Sequence, residues 1–184
     1  EMHKAEIERE IFRISDKYKS VLNLIRTVPG FDKNPLTAIQ VLSEIGGDMY
    51  VFPTAKNLVS WAGCCPRNDQ SNHKIKSTRI SRAGSYFKPV LVQVANALIK
   101  SKNHPEFTTR YRRIKARRGH KKAIIAICRM ILTAIWHILT DLKPYTPEGF
   151  LESRPVNKEK VLTISQALNL IKQRGYIIKD DVGP

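Results

Sequence analysis

The middle of this sequence has very few acidic residues. Between residues 49 and 140 it holds 18 lysines and arginines but only two acids, Asp69 and Glu106, whereas the flanks together hold 14 residues of each sign. A solvated protein surface ordinarily mixes both signs, so a one-sided block of this size favours a polyanion whose phosphates replace the missing negative charge. We therefore expect residues 49–140 to bind nucleic acid. An anionic membrane surface or an acidic protein is the alternative.

The sequence is also poor in cysteine and in long apolar runs. Cys64, Cys65 and Cys128 match neither a disulfide framework nor zinc-ligand spacing, and Cys128 lies in an apolar stretch typical of a helical core. No run of apolar residues approaches the roughly 18–20 that a membrane span needs. No signal peptide is visible, so we expect a cytoplasmic protein with no membrane contact. Glu1 is not a natural start, which leads us to expect a fragment or a processed chain.

The same shortage of acids argues against a complete metal site. Metal-dependent phosphoryl transfer needs several carboxylates that converge on one or two ions. The basic block supplies two, and Asp32, Glu44 and Asp48 outside it follow no spacing that would fix them as a cluster. We predict no metal site and no cofactor in this chain.

Apolar residues recur in alternating steps of four and three along residues 1–27. They are Ile7, Ile11, Ile14, Tyr18, Val21 and Ile25. A repeat of 3.5 residues predicts a coiled-coil-like helix packed on a partner, and a single amphipathic helix lying on its own domain is the alternative. We favour a linker or dimerisation helix and expect a homo-oligomer.

Proline and glycine then divide residues 28–148 into helices, and no strand pattern is strong, so an all-α helical bundle is predicted. The Val28-Pro-Gly-Phe31 turn, followed by a helix from Pro35 to about Ile45, is typical of a helix–hairpin–helix-like unit. Such a unit presents backbone N–H groups to a phosphate.

Two capping residues place the next helices. Thr54 is expected to cap a short helix that ends near Ala62, and Ser81 one that runs from Arg82 to about Lys100. Gly84 and Pro89 are awkward residues inside the second of these helices, so a later start or a bend is the alternative. Further helices are predicted at 105–118 and at 121–140, the second being the best candidate for the central core element. The tail, residues 149–184, has a possible short helix at 163–174.

A long polar loop at 63–80 is the best place for chemistry, because loops of this length are usually functional or disordered. Its candidate nucleophiles are Ser71, Ser77 and Thr78, with Ser81 and Ser85 just beyond it. A serine that attacks a phosphodiester needs clustered cations to stabilise the charge growing on the phosphate oxygens. The candidate phosphate binders near the loop are Arg67, Lys74, Lys76, Arg79 and Arg82, and those beyond it are Arg110, Arg112, Arg113, Lys115, Arg117, Arg118, Lys121 and Lys122.

An ordered series of short motifs runs through the same region. The motifs are Thr27-Val-Pro-Gly-Phe31, Thr37-Ala38, Glu44-Ile-Gly46, Phe52, Leu58-Val-Ser-Trp-Ala-Gly63, Pro66, Gln70-Ser71, Lys76, Ile80-Ser-Arg-Ala-Gly84, Pro105, Phe107, Tyr111 and Lys121-Lys-Ala-Ile124. In this order they resemble the C-terminal transposase domain of the IS110, IS116 and IS902 family of insertion-sequence transposases.

The resemblance implies a chemistry and its partners. Members of that family join an N-terminal RuvC-like domain with metal-binding acids to a C-terminal domain with a nucleophilic serine, and a noncoding RNA guides the recombination of DNA. Gln70-Ser71 matches the serine motif, so the resemblance implies Ser71 as the nucleophile. The family usually has glycine next, whereas this chain has Asn72, which tolerates left-handed backbone angles. The divalent metal would belong to the RuvC-like domain, and the isolated chain is expected to be inactive without it.

Three functions therefore stay open. The first is a fragment of a recombining enzyme that uses Ser71. The second is a non-catalytic helix–hairpin–helix module for DNA binding and dimerisation, and the third is an RNA-binding scaffold.

Overall fold

The computed structural model is predominantly helical, which confirms the predicted all-α fold class. It describes residues 2–66, 69–71, 74–77 and 79–147. The chain divides into two compact units, Glu1–Tyr145 and Thr146–Pro184. The helix predicted at 163–174 lies outside the described residues.

Seven α-helices and one antiparallel hairpin make up the described part of the first unit. The helices are α1 (Met2–Ser15), α2 (Lys19–Thr27), α3 (Pro35–Ile45), α4 (Ala55–Trp61), α5 (Phe87–Leu98), α6 (Pro105–Arg118) and α7 (His120–Asp141), and the strands are β1 (Asp69–Ser71) and β2 (Lys74–Ser77). Short 3-10 turns occupy Asp16–Tyr18 and Met49–Val51.

Helix α7 is the centre of the fold, as its apolar sequence predicted. It packs against α2, α4, α5 and α6. Its buried residues are Ala123, Ile124, Ile127, Cys128, Ile131, Leu132, Ala134, Ile135, Ile138 and Leu139. By length and composition α7 is apolar enough to cross a membrane, contrary to the expectation that no run approaches that size. Because other helices cover its apolar faces, α7 is a core helix here.

Local signals explain where several helices begin. The Asn34 carboxamide oxygen accepts a hydrogen bond from the N–H of Leu36 at 3.0 Å, and Pro35 occupies the first turn of α3. The Thr54 hydroxyl accepts from the N–H of Asn57 at 3.3 Å, which confirms the predicted cap of α4.

The turn between α2 and α3 is held by packing against α5. Val28 and Phe31 are fully buried on either side of Gly30. Gly30 has φ +90°, and a β-carbon there would lie 2.6 Å from Cγ1 of Val94 and 3.3 Å from Cγ of Leu98. The Pro-Gly signal therefore marks a close contact between the turn and α5.

The N-terminal seam is interrupted where one continuous helix was expected. The 3-10 turn at Asp16–Tyr18 separates α1 from α2. Ile25 on α2 is fully buried, whereas Ile7 and Ile14 on α1 are 61% and 55% exposed. Ile25 in the second half of the seam thus packs in the core, whereas Ile7 and Ile14 in the first half remain exposed to solvent.

Helix α5 begins at Phe87 and not at Arg82, so the later start given as the alternative is the one observed. Gly84 adopts φ +66°, which ends any helical path through this position, and the Ser81 hydroxyl instead accepts from the N–H of Ala83 at 3.1 Å in a local turn. Pro89 is tolerated because it lies in the first turn, where backbone N–H groups have no helical acceptor.

Candidate nucleic-acid interface

The segment predicted as a polar loop at 63–80 contains the β1–β2 hairpin, which corrects that prediction. Ser71, the last residue of β1, pairs with Lys74, and Gln70 pairs with Ile75. An isolated bridge between Pro66 and Ile80 closes the hairpin at its base. Two short runs separated by two residues are a recognised hairpin signal, and here residues 72–73 separate the strands. The strands are so short that no alternation was visible in the sequence.

Close contact between two backbone segments fixes the base of this hairpin. Gly63 has φ +67°, and a β-carbon there would lie 2.5 Å from the carbonyl oxygen of Ala83. Gly84 has φ +66°, and its β-carbon would lie 2.6 Å from the carbonyl oxygen of Ala62. Each glycine thus lets its segment approach the other to a distance that no side chain allows. The chain enters and leaves the hairpin at these two points.

Lys88 strengthens the same junction. Its ammonium group donates a hydrogen bond of 2.8 Å to the carbonyl oxygen of Ser81, and the side chain is half-buried. This contact ties the first turn of α5 to the segment that leaves the hairpin. The sequence did not single out Lys88 for such a role, because its partner is a backbone carbonyl seven residues away.

The candidate hydroxyls differ in their local roles. Ser77 accepts a hydrogen bond from the N–H of Arg79 at 3.2 Å, and Ser81 accepts from the N–H of Ala83 at 3.1 Å. Both therefore stabilise turns, which is the ordinary role of serine in such segments. Ser71 lies at the tip of the hairpin, at the end of β1.

The cations predicted around the hairpin fall into three groups. Lys74 and Lys76 belong to β2. Arg79 and Arg82 are exposed in the segment that follows β2. Arg67 lies outside the described residues, as does Asn72. The structure therefore brings four of the five predicted loop cations to the hairpin or the segment that follows it.

Helix α6 and the start of α7 present a second cationic surface. The eight lysine and arginine side chains that form this surface are exposed, and none of them takes part in an ion pair within the described ranges. They are Arg110, Arg112, Arg113, Lys115, Arg117, Arg118, Lys121 and Lys122. We refer to these eight residues as the α6 surface. Uncompensated charge of one sign, exposed on one helix and the start of the next, is what a phosphate backbone requires.

Apolar and polar anchors hold α6 so that its charges face outward. Phe107 is fully buried, and the Tyr111 hydroxyl lies 2.8 Å from Nδ1 of His120. Glu106, the only acid of α6, lies 3.4 Å from the hydroxyl of Tyr145, so its charge points into the fold. Burial, with the adjacent Glu106 carboxylate, raises the pKa of Tyr145 above its usual range.

The cysteines offer no reactive thiolate inside the fold. Burial raises the pKa of Cys64 to about 11 and that of Cys128 to about 12. Cys128 is a core residue of α7, as predicted. Both thiols are protonated at neutral pH and are poor nucleophiles. Among the residues that the structure describes, no three histidine, cysteine or acidic side chains come together as a metal-ligand group.

An open groove between α4 and α7 lies beside the base of the hairpin. It brings Lys56 and Trp61 of α4 together with Arg129 of α7 and Cys65. Neither Lys56 nor Arg129 was predicted as a binding residue, and Trp61 was named only within the Leu58–Gly63 motif. No local pattern connects them, because they come from separate helices.

Comparison with protein families gives a match over the hairpin and its surroundings. Residues 22–112 match the family described as Transposase IS116/IS110/IS902 family. The matched range runs from α2 into α6 and includes β1 and β2. The fold has no match among solved structures.

Curated relatives are named as mobile-element or inversion proteins. The chain is 29% identical over 125 residues to the pilin gene-inverting protein of Moraxella lacunata, covering 67% of this chain and 38% of that protein. It is 29% identical over 126 residues to the insertion element IS900 uncharacterized 42 kDa protein of Mycobacterium paratuberculosis, covering 67% and 31%. It is 27% identical over 124 residues to the transposase for insertion sequence element IS1111A of Coxiella burnetii, covering 66% and 33%. The aligned part spans about a third of the length of these relatives.

Proposed function

We propose that this chain belongs to the IS116/IS110/IS902 family of transposases and forms the DNA-contacting part of a protein that carries out DNA transposition or recombination. The observation that carries the proposal is the family match over residues 22–112, which contains the hairpin, its cations and the first two residues of the α6 surface, Arg110 and Arg112. The names of the relatives, a gene-inverting protein and an insertion-sequence transposase, support the same role.

Within that role, Ser71 is the proposed nucleophile. Its position at the tip of a hairpin suits a residue that must reach a strand lying outside the protein. The serine oxygen forms a bond to phosphorus, the bond from phosphorus to the leaving sugar oxygen breaks, and the serine proton is transferred so that the leaving oxygen becomes a hydroxyl. The phosphoserine bond retains the energy needed to rejoin a second DNA end.

The cations near the hairpin have a stabilising part in this step. Arg79 and Arg82 are exposed beside the hairpin, and Lys74 pairs directly with Ser71 across the strands. Positive charge at these positions stabilises the negative charge that grows on the phosphate oxygens. Because no metal-ligand cluster is present among the described residues, no step is placed on a metal within this chain. A divalent ion is proposed only for a RuvC-like domain elsewhere in the protein.

The α6 surface holds the nucleic acid without reading its sequence. Its exposed cations match a phosphate backbone in the sign of their charge, and arginine and lysine contacts to phosphate position a protein without specifying bases. DNA is the proposed ligand, and a noncoding guide RNA presents the same phosphate chemistry to the same surface.

The open part of the N-terminal seam suits a second helix. Ile7 and Ile14 are more than half exposed on α1, and Tyr18 continues the same 3.5-residue repeat at 44% exposure. A coiled-coil partner would cover these residues in the register that the repeat defines. We accordingly propose homo-oligomer formation through α1.

Trapping a covalent protein–DNA adduct tests the catalytic part of the proposal. The complete protein is mixed with a DNA substrate, quenched in denaturant and analysed for a DNA-linked band. Ser71→Ala should abolish the band, whereas Ser77→Ala and Ser81→Ala should retain it, because those two serines only stabilise turns. An adduct that survives in Ser71→Ala would move the nucleophile elsewhere. DNA binding with no adduct from any variant would favour a non-catalytic DNA-binding module.

A further inference from the structure

The groove between α4 and α7 is large enough for a small ligand. Its volume is about 590 Å³. It is lined by Lys56, Asn57, Ser60, Trp61, Cys65 and Arg129. This volume lies in the range of ordinary ligand-binding clefts, about 300–1,000 Å³.

Trp61 forms a rigid aromatic wall of this groove. Its ring centroid lies 5.5 Å from that of Phe52 and 6.0 Å from that of Phe87, and both phenylalanines are buried. The carbonyl oxygen of Phe52 accepts a hydrogen bond of 2.8 Å from Nε1 of Trp136, which helps to hold the Phe52 backbone in place. Yet 42% of Trp61 remains exposed. An indole held in this way offers a preformed stacking surface at little cost in side-chain entropy.

The described lining of the groove carries positive charge at Lys56 and Arg129. Both are exposed, and neither takes part in an ion pair within the described ranges. Among the residues that the structure describes, no acidic side chain lines the groove. An aromatic face flanked by two uncompensated cations matches the chemistry of a nucleotide, which has one aromatic ring and a phosphate on either side.

We propose that this groove binds one unpaired nucleotide of DNA or RNA, with its base stacked on Trp61 and its flanking phosphates on Lys56 and Arg129. The inference rests on the proposed function, and it specifies the form of nucleic acid that reaches this site. In a duplex both faces of each base are covered by neighbouring base pairs, so a half-exposed indole in a groove has no base face to contact. An unpaired or extruded base does present a face.

The groove lies next to the base of the hairpin, and this position indicates a role for the bound nucleotide. Cys65 lines the groove and directly precedes Pro66, which pairs with Ile80 at the base of the hairpin. A strand held in the groove therefore lies at the foot of the element that carries Ser71. Separation of the strands at this point would free the backbone of one strand to bend toward Ser71, and Trp61 would hold the released base.

Binding of short oligonucleotides to the complete protein tests the stacking role. Fluorescence anisotropy is measured with labelled oligothymidylate, oligouridylate and a DNA duplex of the same length. Trp61→Ala should weaken single-strand binding about 5- to 100-fold, the range measured when one base loses an aromatic partner. Trp61→Phe should retain most of the affinity, and duplex binding should be unchanged in both variants. The two single-stranded probes show whether DNA or RNA is the preferred source.

Tryptophan fluorescence gives a readout that does not depend on Trp61→Ala folding normally. Oligothymidylate should quench the emission of the unmodified protein. The quenching should be lost in Trp61→Phe and persist in Trp136→Phe, because Trp136 is not among the residues that line the groove. Quenching that persists unchanged in Trp61→Phe would overturn the stacking role.

The cations are tested through salt dependence. Lys56→Ala and Arg129→Ala should each flatten the slope of log K against log salt by about 0.7 for a single strand. Lys143→Ala, an exposed lysine outside the groove and outside the basic block at 49–140, is the matched control and should leave the slope unchanged.

The outcomes separate this inference from the proposed function. If the unmodified protein binds no nucleic acid at all, the proposed function fails and the groove inference fails with it. If the protein binds single strands but the Trp61, Lys56 and Arg129 variants bind equally well, only the groove inference fails. Equal losses for duplex and single strand would overturn the assignment to an unpaired nucleotide.

Discussion

Replacing Gly30 with alanine is a direct test of the packing between the α2–α3 turn and α5. The backbone there has φ +90°, a conformation that costs an L-residue about 1–2 kcal/mol. The new β-carbon would also lie 2.6 Å from Cγ1 of Val94, about 1 Å inside ordinary van der Waals contact. Overpacking of this kind costs about 1–3 kcal/mol, so Gly30→Ala should destabilise the fold by about 2–5 kcal/mol in total.

A double-mutant cycle separates the two contributions. Val94→Ala deletes the methyl group that the new β-carbon meets, and by itself it destabilises the core because Val94 is buried. In Gly30→Ala/Val94→Ala the steric part disappears, so the double variant should be more stable than the sum of the single effects predicts, by about 1–3 kcal/mol. The backbone part of the cost should remain.

The assay is equilibrium unfolding in urea followed by the helical circular-dichroism signal. A changed midpoint with an unchanged slope reports stability alone. Val90→Ala, a buried valine one turn earlier on α5, replaces Val94→Ala in the control cycle and should give additive effects. Additive effects in the Val94 cycle would refute the contact. Unchanged stability with weakened DNA binding in Gly30→Ala would instead favour a turn whose backbone N–H groups bind phosphate.

Two further predictions concern the thiols and the α6 surface. At about pH 8, an alkylating reagent should modify the half-exposed Cys65 first, and Cys64 and Cys128 only after unfolding, because burial raises their pKa to about 11 and about 12. Mass spectrometry of the native protein checks this, and early modification of Cys64 would contradict the buried position. Replacing Arg112 and Arg113 with alanine should weaken DNA binding equally for all sequences and flatten the salt slope by about two units for duplex DNA. Unchanged affinity at low salt would exclude α6 as a contact surface.

Local sequence signals were sufficient for most helices. The bounds of α6 follow from Pro105 at its start and Gly119 after its end, and α4 follows from the Thr54 cap. These signals act through residues within one turn of each other, so they operate in nearly any surroundings. The positive charge of the α6 surface was visible for the same reason, because no acid next to it in the sequence compensates it, and none forms an ion pair with it in the part of the chain that the structure describes.

The errors arose where distant segments decide local conformation. Gly84 was read as an awkward residue within a helix, whereas its backbone adopts φ +66° to lie against Ala62, and this contact delays the start of α5 to Phe87. The hairpin was missed because each strand has only three or four residues, too few for an alternating pattern to emerge. In both cases the conformation depends on a partner segment that a local window does not include.

The sequence by itself determined that this protein is helical, that α7 is its core and that its basic surplus lies between residues 49 and 140. The amino-acid composition, together with proline, glycine and capping residues near the helix ends, carries that information. Only the tertiary structure decided that Trp61 and Lys56 face Arg129 across a groove, and that the groove lies at the foot of the hairpin. Lys56 and Trp61 lie on α4, whereas Arg129 lies on α7, far along the chain. The packing of α4 against α7 brings these side chains together.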